Sequence, residues 1–158
     1  MAALMSPDRI EGQFFEDEHR RLRHGLATLQ EAIDDLHHMS RADVVERVTR
    51  VLIWLRRDLL PHAAWEEAWL YPRLDRETGS PWTTRGLRIE HEQLRELAGL
   101  LDAQFDEIHE RWGPKVAFGV VAALARLDAV ITSHLVTEER FVLPLLDGTI
   151  HHQPHAGA

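Results

Sequence analysis

Residues 62–72 read His62-Ala-Ala-Trp-Glu-Glu-Ala-Trp-Leu-Tyr-Pro72, and residues 134–144 read His134-Leu-Val-Thr-Glu-Glu-Arg-Phe-Val-Leu-Pro144. Both carry a His, a Glu four residues on, a second Glu beside it, and a Pro ten residues after the His. Each is preceded by another His at a distance of 43 residues, His19 and His91, so the pattern repeats at an offset of 72 residues. A His-x-x-x-Glu spacing places both side chains on one face of a helix. Paired residues of this kind build carboxylate metal sites inside helical bundles.

The surrounding sequence has helical periodicity. Val48, Leu52, Leu55, Leu59, His62, Glu66 and Trp69 step by threes and fours, which predicts a helix from about Arg41 to Arg73 with these residues inward. Ser40 is its N-cap, with Asp43 supporting the first turn. Pro61 removes a backbone bond and predicts a kink just before His62. Asp75 to Trp82, with Gly79-Ser80-Pro81, reads as a loop. Before the motif, Phe15, His19, Leu22, Leu26, Leu29, Ile33 and Leu36 predict a helix from about Glu11 to Met39. His37 and His38 fall in its last turn, where a cationic side chain suits the helix dipole. After the motif, Leu87, His91, Leu94, Ala98, Leu101, Phe105 and Ile108 predict a third helix from about Arg85 to Arg111, capped by Thr83 or Thr84. Gly113-Pro114 opens a fourth, running to about Leu146 and closed by Gly148. Its stripe is Val120, Leu124, Leu127, Ile131, His134, Glu138, Phe141 and Leu145.

Four amphipathic helices with short connections predict an all-α fold, an up-down-up-down four-helix bundle. The 72-residue offset predicts two helical hairpins related by a pseudo-twofold axis. Residues 11–147 form the single domain, and residues 1–10 and 148–158 are expected to be flexible termini.

Composition narrows the chemistry. The 158 residues contain no Cys, so thiolate metal sites, disulfides and Cys nucleophiles are excluded. The formal charge is −8, with no basic block interleaved with aromatics, so nucleic acid is not the expected partner. The longest uncharged apolar run, Val116 to Ala125, falls short of the ~20 residues of a membrane helix. The N-terminus shows no signal pattern. A soluble, cytoplasmic protein is the expectation.

His19, His62, Glu66, His91, His134 and Glu138 all occupy core positions of their stripes. Buried carboxylates and imidazoles are costly without a partner, and six in one core call for a common one. Their levels agree. His91 lies 20 residues before Arg111, and His134 lies 20 after Pro114, which places both ~30 Å from the connecting turn. His19 lies 20 before Met39 and His62 lies 21 after Arg41. Four imidazoles and two carboxylates exceed one tetrahedral ion and suit two metals. A sulfur-free donor set favours iron or manganese over copper(I).

Glu18-His19, His62-x-x-x-Glu66-Glu67 with Tyr71-Pro72, Glu90-His91, and His134-x-x-x-Glu138-Glu139 with Leu143-Pro144 resemble the hemerythrin-like (HHE cation-binding) family, over about Gly12 to Asp147. The resemblance implies a four-helix bundle holding two iron ions. One would be bound by His19 and His62 and the other by His91 and His134. Glu66 and Glu138 would bridge them, with an oxo or hydroxo group. The oxygen-carrying members have a further His where this chain has Arg95, and an Asp one residue beyond Glu138. A centre poorer by one imidazole has an additional open position. This shifts the expectation from oxygen carriage toward peroxide turnover, catalase-like or peroxidase-like. A binding or sensing module for dioxygen, nitric oxide or iron is the alternative, and a structural bundle that binds zinc is a third reading.

Several neighbouring residues have two readings. Asp58 is either an acceptor for an imidazole N–H, even an extra ligand, or a salt-bridge partner of Arg57 or Arg95. Arg95 either places a guanidinium near the centre or pairs at the surface with Glu92 or Asp102, and the pair is the expectation. Glu67 and Glu139 are read as solvated, Trp54, Trp65 and Trp69 as core packing, and Tyr71 as packed at a helix end. His24 and His109 read as surface residues, and His151, His152 and His155 as adventitious metal binders at most.

Overall fold

The computed structural model describes residues 7–36 and 39–146, with side chains from residue 12 onward. The expectations for His37, His38, Gly148, residues 1–6 and the C-terminal tail lie outside the described residues. The described chain is all-helical, with no strand. Helix α1 is Pro7–Asp35 and α2 spans residues 41–78, while α3 is Arg85–Glu110 and α4 is Pro114–Leu146. Helix α1 packs on α2 and α4, and α3 packs on α2 and α4, so the four form a bundle.

The boundaries differ from expectation where local chemistry decides. Residues 7–10, expected to be flexible, are helical from Pro7, a residue pre-set for a first helical position. Helix α1 ends at Asp35, short of Met39. Ser40 is extended and forms a capping box with Asp43, each side chain bonded to the other's backbone N–H at 3.3 and 3.2 Å. Helix α2 continues past Arg73 to Thr78 because Leu74 still faces the core. It stops at Gly79, whose φ of 66° closes the helix in the left-handed region. Thr84 precedes α3, but its hydroxyl donates to the Asp75 carboxylate at 2.9 Å and accepts from Arg88 Nε at 3.2 Å, with no bond from a backbone N–H of the helix.

Helix α2 carries the main irregularity. Leu55–Leu59 and Glu66–Leu70 are wide π-turns, in which Leu60 N–H bonds to Leu55 O and Tyr71 N–H to Glu66 O. Pro61 and Pro72 each follow one of them closely. A proline supplies no N–H for the usual i→i−4 bond, and the wide turn adapts the helix to that loss. The expected disturbance before His62 is therefore a π-turn. Each π-turn also advances the inward register. After Glu66 the core residues are Leu70, Tyr71 and Leu74, while Trp69 is 71% exposed. In α4 the stripe continues from Glu138 to Val142 and Leu146, leaving Phe141 exposed. Of the three tryptophans read as core, Trp54 is buried, while Trp65 and Trp69 are exposed.

Two apolar clusters divide the interior. The larger draws on all four helices, from Leu22 to Leu36, Val44 to Leu59, Leu94 to Ile108 and Val116 to Leu135. The smaller contains Phe15, Leu70, Tyr71, Leu74, Leu87, Val142 and Leu146. Along α1, α2 and α3 the buried His and Glu residues fall in sequence between the two clusters. In α4 they flank Leu135, ahead of Val142. Helix α4 is long and apolar enough by composition to cross a membrane, more so than its ten-residue apolar run suggested. Here its apolar stripe packs on α1 and α3.

A tight contact joins α1 to α2, where a Cβ added at Gly25 would overlap the Trp54 indole. Gly25→Ala is therefore expected to cost about 1–3 kcal/mol by overpacking. Gly99 faces open space, and Gly99→Ala is expected to raise stability by up to about 1 kcal/mol. Urea midpoints of the two variants check this, and equal midpoints would contradict it.

Candidate metal centre

Six polar side chains meet between the clusters, at least one from each helix. His19 comes from α1, His62 and Glu66 from α2, His91 from α3, and His134 and Glu138 from α4. All six are buried, with Glu66, His91 and Glu138 fully inaccessible. The i, i+4 spacing turns His62 onto Glu66, Nε2 to Oε1 at 2.9 Å. It turns His134 onto Glu138, Nε2 to Oε2 at 3.2 Å. Across helices, His19 Nε2 lies 3.3 Å from Glu138 Oε2, and His91 Nε2 lies 3.3 Å from Glu66 Oε2. Each carboxylate therefore touches imidazoles of both hairpins.

All four Nε2 atoms point inward, and all four Nδ1 atoms face a carboxylate. His91 Nδ1 lies 2.9 Å from Glu67, His134 Nδ1 3.1 Å from Glu90, and His19 Nδ1 3.3 Å from Glu139. His62 Nδ1 is 3.8 Å from Glu18. A carboxylate on Nδ1–H fixes the tautomer and leaves the Nε2 lone pair for a cation. Three of these carboxylates pair in turn with arginines, Glu18 with Arg21 among them. Arg23 bonds Glu139 at 2.9 and 2.5 Å, and Arg95 bonds Glu67 at 3.0 Å.

These outer residues were misjudged from sequence. Glu67 and Glu139 are not simply solvated but orient His91 and His19. Arg95 neither enters the centre nor pairs with Glu92 or Asp102, since its partner is Glu67. Asp58 pairs with Arg57 at 3.0 Å, one of its two expected readings. A signal was available: Glu18/Glu90, Glu67/Glu139 and Arg23/Arg95 all repeat at the 72-residue offset of the histidines.

Tyr71 was also missed. Its phenol is fully buried and donates to Glu138 at very short range, with Glu66 at 3.4 Å and His91 Nε2 at 3.3 Å. In a regular helix, Tyr71 five residues after Glu66 would point well away from it. The π-turn at Glu66–Leu70 brings both onto one face.

A direct test of fit to a cation is which buried polar atoms lack partners. Among the described residues five buried side-chain atoms make no hydrogen bond. Four of them are His19 Nε2, His62 Nε2, Glu66 Oε1 and Glu138 Oε2, the atoms turned toward one another here. The donors form two groups, His19–His62–Glu66–Glu138 and Glu66–His91–His134–Glu138, each with its ligand atoms within 4.8 Å of one another. The groups share both carboxylates. A nitrogen and oxygen set of this kind fits divalent iron or manganese.

A family model described as the hemerythrin HHE cation-binding domain matches residues 12–146. The chain belongs to this family. No curated protein and no solved structure matches it. Domains of the hemerythrin family bind metal cations, typically iron, and the His/Glu cluster here has the donors for one.

In metal-free protein, protons must supply the positive charge. Burial alone would lower the pKa of His134, but bonds to Glu138 and Glu90 raise it to about 10. Burial and the facing Glu138 carboxylate push Glu66 up. Burial works on Glu138 too, yet the imidazoles of His134 and His19 close beside it hold it well below the usual carboxylate range. His62 is lowered to about 4, mainly by burial. Burial and the two carboxylates push the Tyr71 phenol far up, so it keeps its proton.

These shifts give the metal-free protein a defined pH dependence. His134 is raised, so its stabilisation is complete below its unfolded value of about 6.5 and is lost as pH rises toward 10. Glu66, also raised, acts in the same direction, and the lowered His62 acts oppositely but only below about 6.5. Metal-free stability should fall by on the order of 3 kcal/mol between pH 6.5 and 9. Metal-loaded protein carries no such protons, so its melting temperature should stay level while metal affinity rises. Melting scans of both forms at pH 7, 8 and 9 check this. Parallel slopes would contradict it.

Proposed function

We propose that this protein holds two iron ions and uses them to react with a dioxygen-derived ligand, most favourably hydrogen peroxide. In this reading His19 and His62 would hold one ion and His91 and His134 the other, with Glu66 and Glu138 available to both. The observation that carries it is the pair of donor groups sharing Glu66 and Glu138, with four otherwise unpartnered atoms turned inward. Contacts that recur at the 72-residue offset support two hairpins related by a pseudo-twofold axis in an up-down-up-down bundle. The localisation proposed with this function is cytoplasmic.

Two adjacent irons supply two electrons together, the number that cleavage of an O–O bond requires. The chain's own residues do the rest. Glu67, Glu90 and Glu139 hold imidazole Nδ1 protons so that Nε2 stays directed inward. The apolar clusters on either side limit access of bulk water. Tyr71 holds a phenolic proton beside Glu138 and His91, where an oxygen ligand reduced at the centre would need one. The position matching the additional His of oxygen carriers is Arg95, whose guanidinium is engaged by Glu67. That leaves no extra imidazole to fill a coordination position, which favours turnover over simple carriage.

Metal analysis and a visible spectrum of protein from iron-supplemented cells test the centre. Two irons per chain and the absorption of a bridged ferric pair are expected, and zinc or no metal would overturn the reading. Oxygen evolution from peroxide tests the reaction. Iron-loaded protein should exceed metal-free protein, whereas a reversible spectral change with dioxygen and no peroxide consumption would favour the binding or sensing alternative. Tyr71→Phe should keep both irons and slow turnover about 100-fold, the usual scale for a lost proton donor. Iron content and peroxide consumption measured on one sample check this.

A further inference from the structure

We propose that the two halves of the centre differ in exchange: the cation held by His19 and His62 is the labile one, and its port is the cavity against His62 between α1 and α2. This rests on the two-ion reading above. The cavity has a volume of about 290 Å³, and its wall includes His62, Glu18, Arg21, Arg57, Asp58 and Pro61. That is ample for a cation with several waters, each of which takes ~30 Å³ in the liquid. The cavity between α3 and α4, of about 210 Å³, is lined by Leu87, Glu90 and Val142 and touches none of the six residues.

Independent differences point the same way. The side chains of His62 and His19 are more accessible, at 2% and 3%, than those of His134 and His91, at 1% and 0%. The outer carboxylate of His62 is the most distant, 3.8 Å from Nδ1 against 2.9–3.3 Å for the others. Glu18 is drawn away to Arg21, whereas its counterpart Glu90 is tied at 3.2 Å to Ser133, beside the His134 it serves. Tyr71 braces the other half through His91 and Glu138, and the residue 72 positions later is Leu143. The aromatic ring beside His19 is that of Phe15, which carries no hydroxyl, its centroid 4.0 Å from the imidazole. Finally, His62 sits on a six-residue α segment, Leu60–Trp65, between two π-turns. The charged side chains of the port's wall form the pairs Arg57–Asp58 and Arg21–Glu18, and exposed pairs of this kind hold weakly.

The test loads the full chain with cobalt(II), counts bound ions, and follows release to excess EDTA by absorbance and tryptophan fluorescence. Two phases of one ion each are expected, the fast one at least tenfold faster. Trp65 stacks on His62 with ring centroids 6.4 Å apart, so its fluorescence should recover with the fast phase. Trp65→Phe should remove that signal while absorbance still resolves two phases. Asp58→Phe, which fills the cavity, should slow the fast phase at least fivefold and spare the slow one, and Glu18→Ala should accelerate the fast phase alone. Two bound ions leaving in one phase, or fluorescence recovering with the slow phase, would overturn the inference and leave the two-ion reading standing. Fewer than two ions at saturation would overturn both.

Discussion

Glu66 and Glu138 are fully buried carboxylates facing one another from α2 and α4, and that juxtaposition governs the interior. Two ionised carboxylates cannot share a dry core without positive charge between them. Four imidazoles surround them at 2.9 to 3.3 Å, and neutral imidazoles alone do not balance two negative charges. The balance must come from bound protons or from cations. The proton solution leaves four donor atoms without hydrogen bonds, and a cation in each group would engage all of them. The apolar clusters on either side keep the charges in a low dielectric, where both the attraction and the penalty for lacking it are large.

The same constraint extends outward in alternating charge. Each inward imidazole meets a carboxylate, and three of those carboxylates meet an arginine. His19–Glu139 joins α1 to α4, His62–Glu18 joins α1 to α2, His91–Glu67 joins α2 to α3, and His134–Glu90 joins α3 to α4. Every neighbouring helix pair is thus tied at the level of the centre. A sliding helix would break a charged contact there, so these ties set helix register in a way that interchangeable Leu and Val contacts cannot.

Much of this was legible in the sequence because a single repeat encodes it twice. The His and Glu positions follow from helical period and from distance to the turns, and the family match covers the stretch that holds them. Less legible were features that depend on departures from the regular helix. Trp69 and Phe141 were placed inward by a stripe stepping regularly past the motif, but a π-turn in α2 and steps of four in α4 shift the buried face by one residue. Arg95 and Glu67 lie on different helices, and nothing local in the sequence names one as the other's partner. The exposure of Trp65 was hidden for a similar reason, since its place beside a buried ring is not a place in the core.

The prolines illustrate how a local break serves a long-range end. Both halves carry the later proline, Pro72 and Pro144, yet only α2 has π-turns, and only α2 has a proline in place of Ser133. With Pro61 and Pro72 eleven residues apart, α2 must accommodate two missing N–H donors in about three turns. The two wide turns do so, and they widen the helix on either side of His62. One consequence is Tyr71, carried onto the Glu66 face, where α4 has Leu143. The other is Ser133, which the regular α4 helix leaves free to hold Glu90 against His134, while Pro61 provides no such hydroxyl for Glu18. The chain thus builds two halves with the same inner donors and different support. A repeat that preserves the donors while changing the backbone around them is a direct route to two donor groups of unequal support.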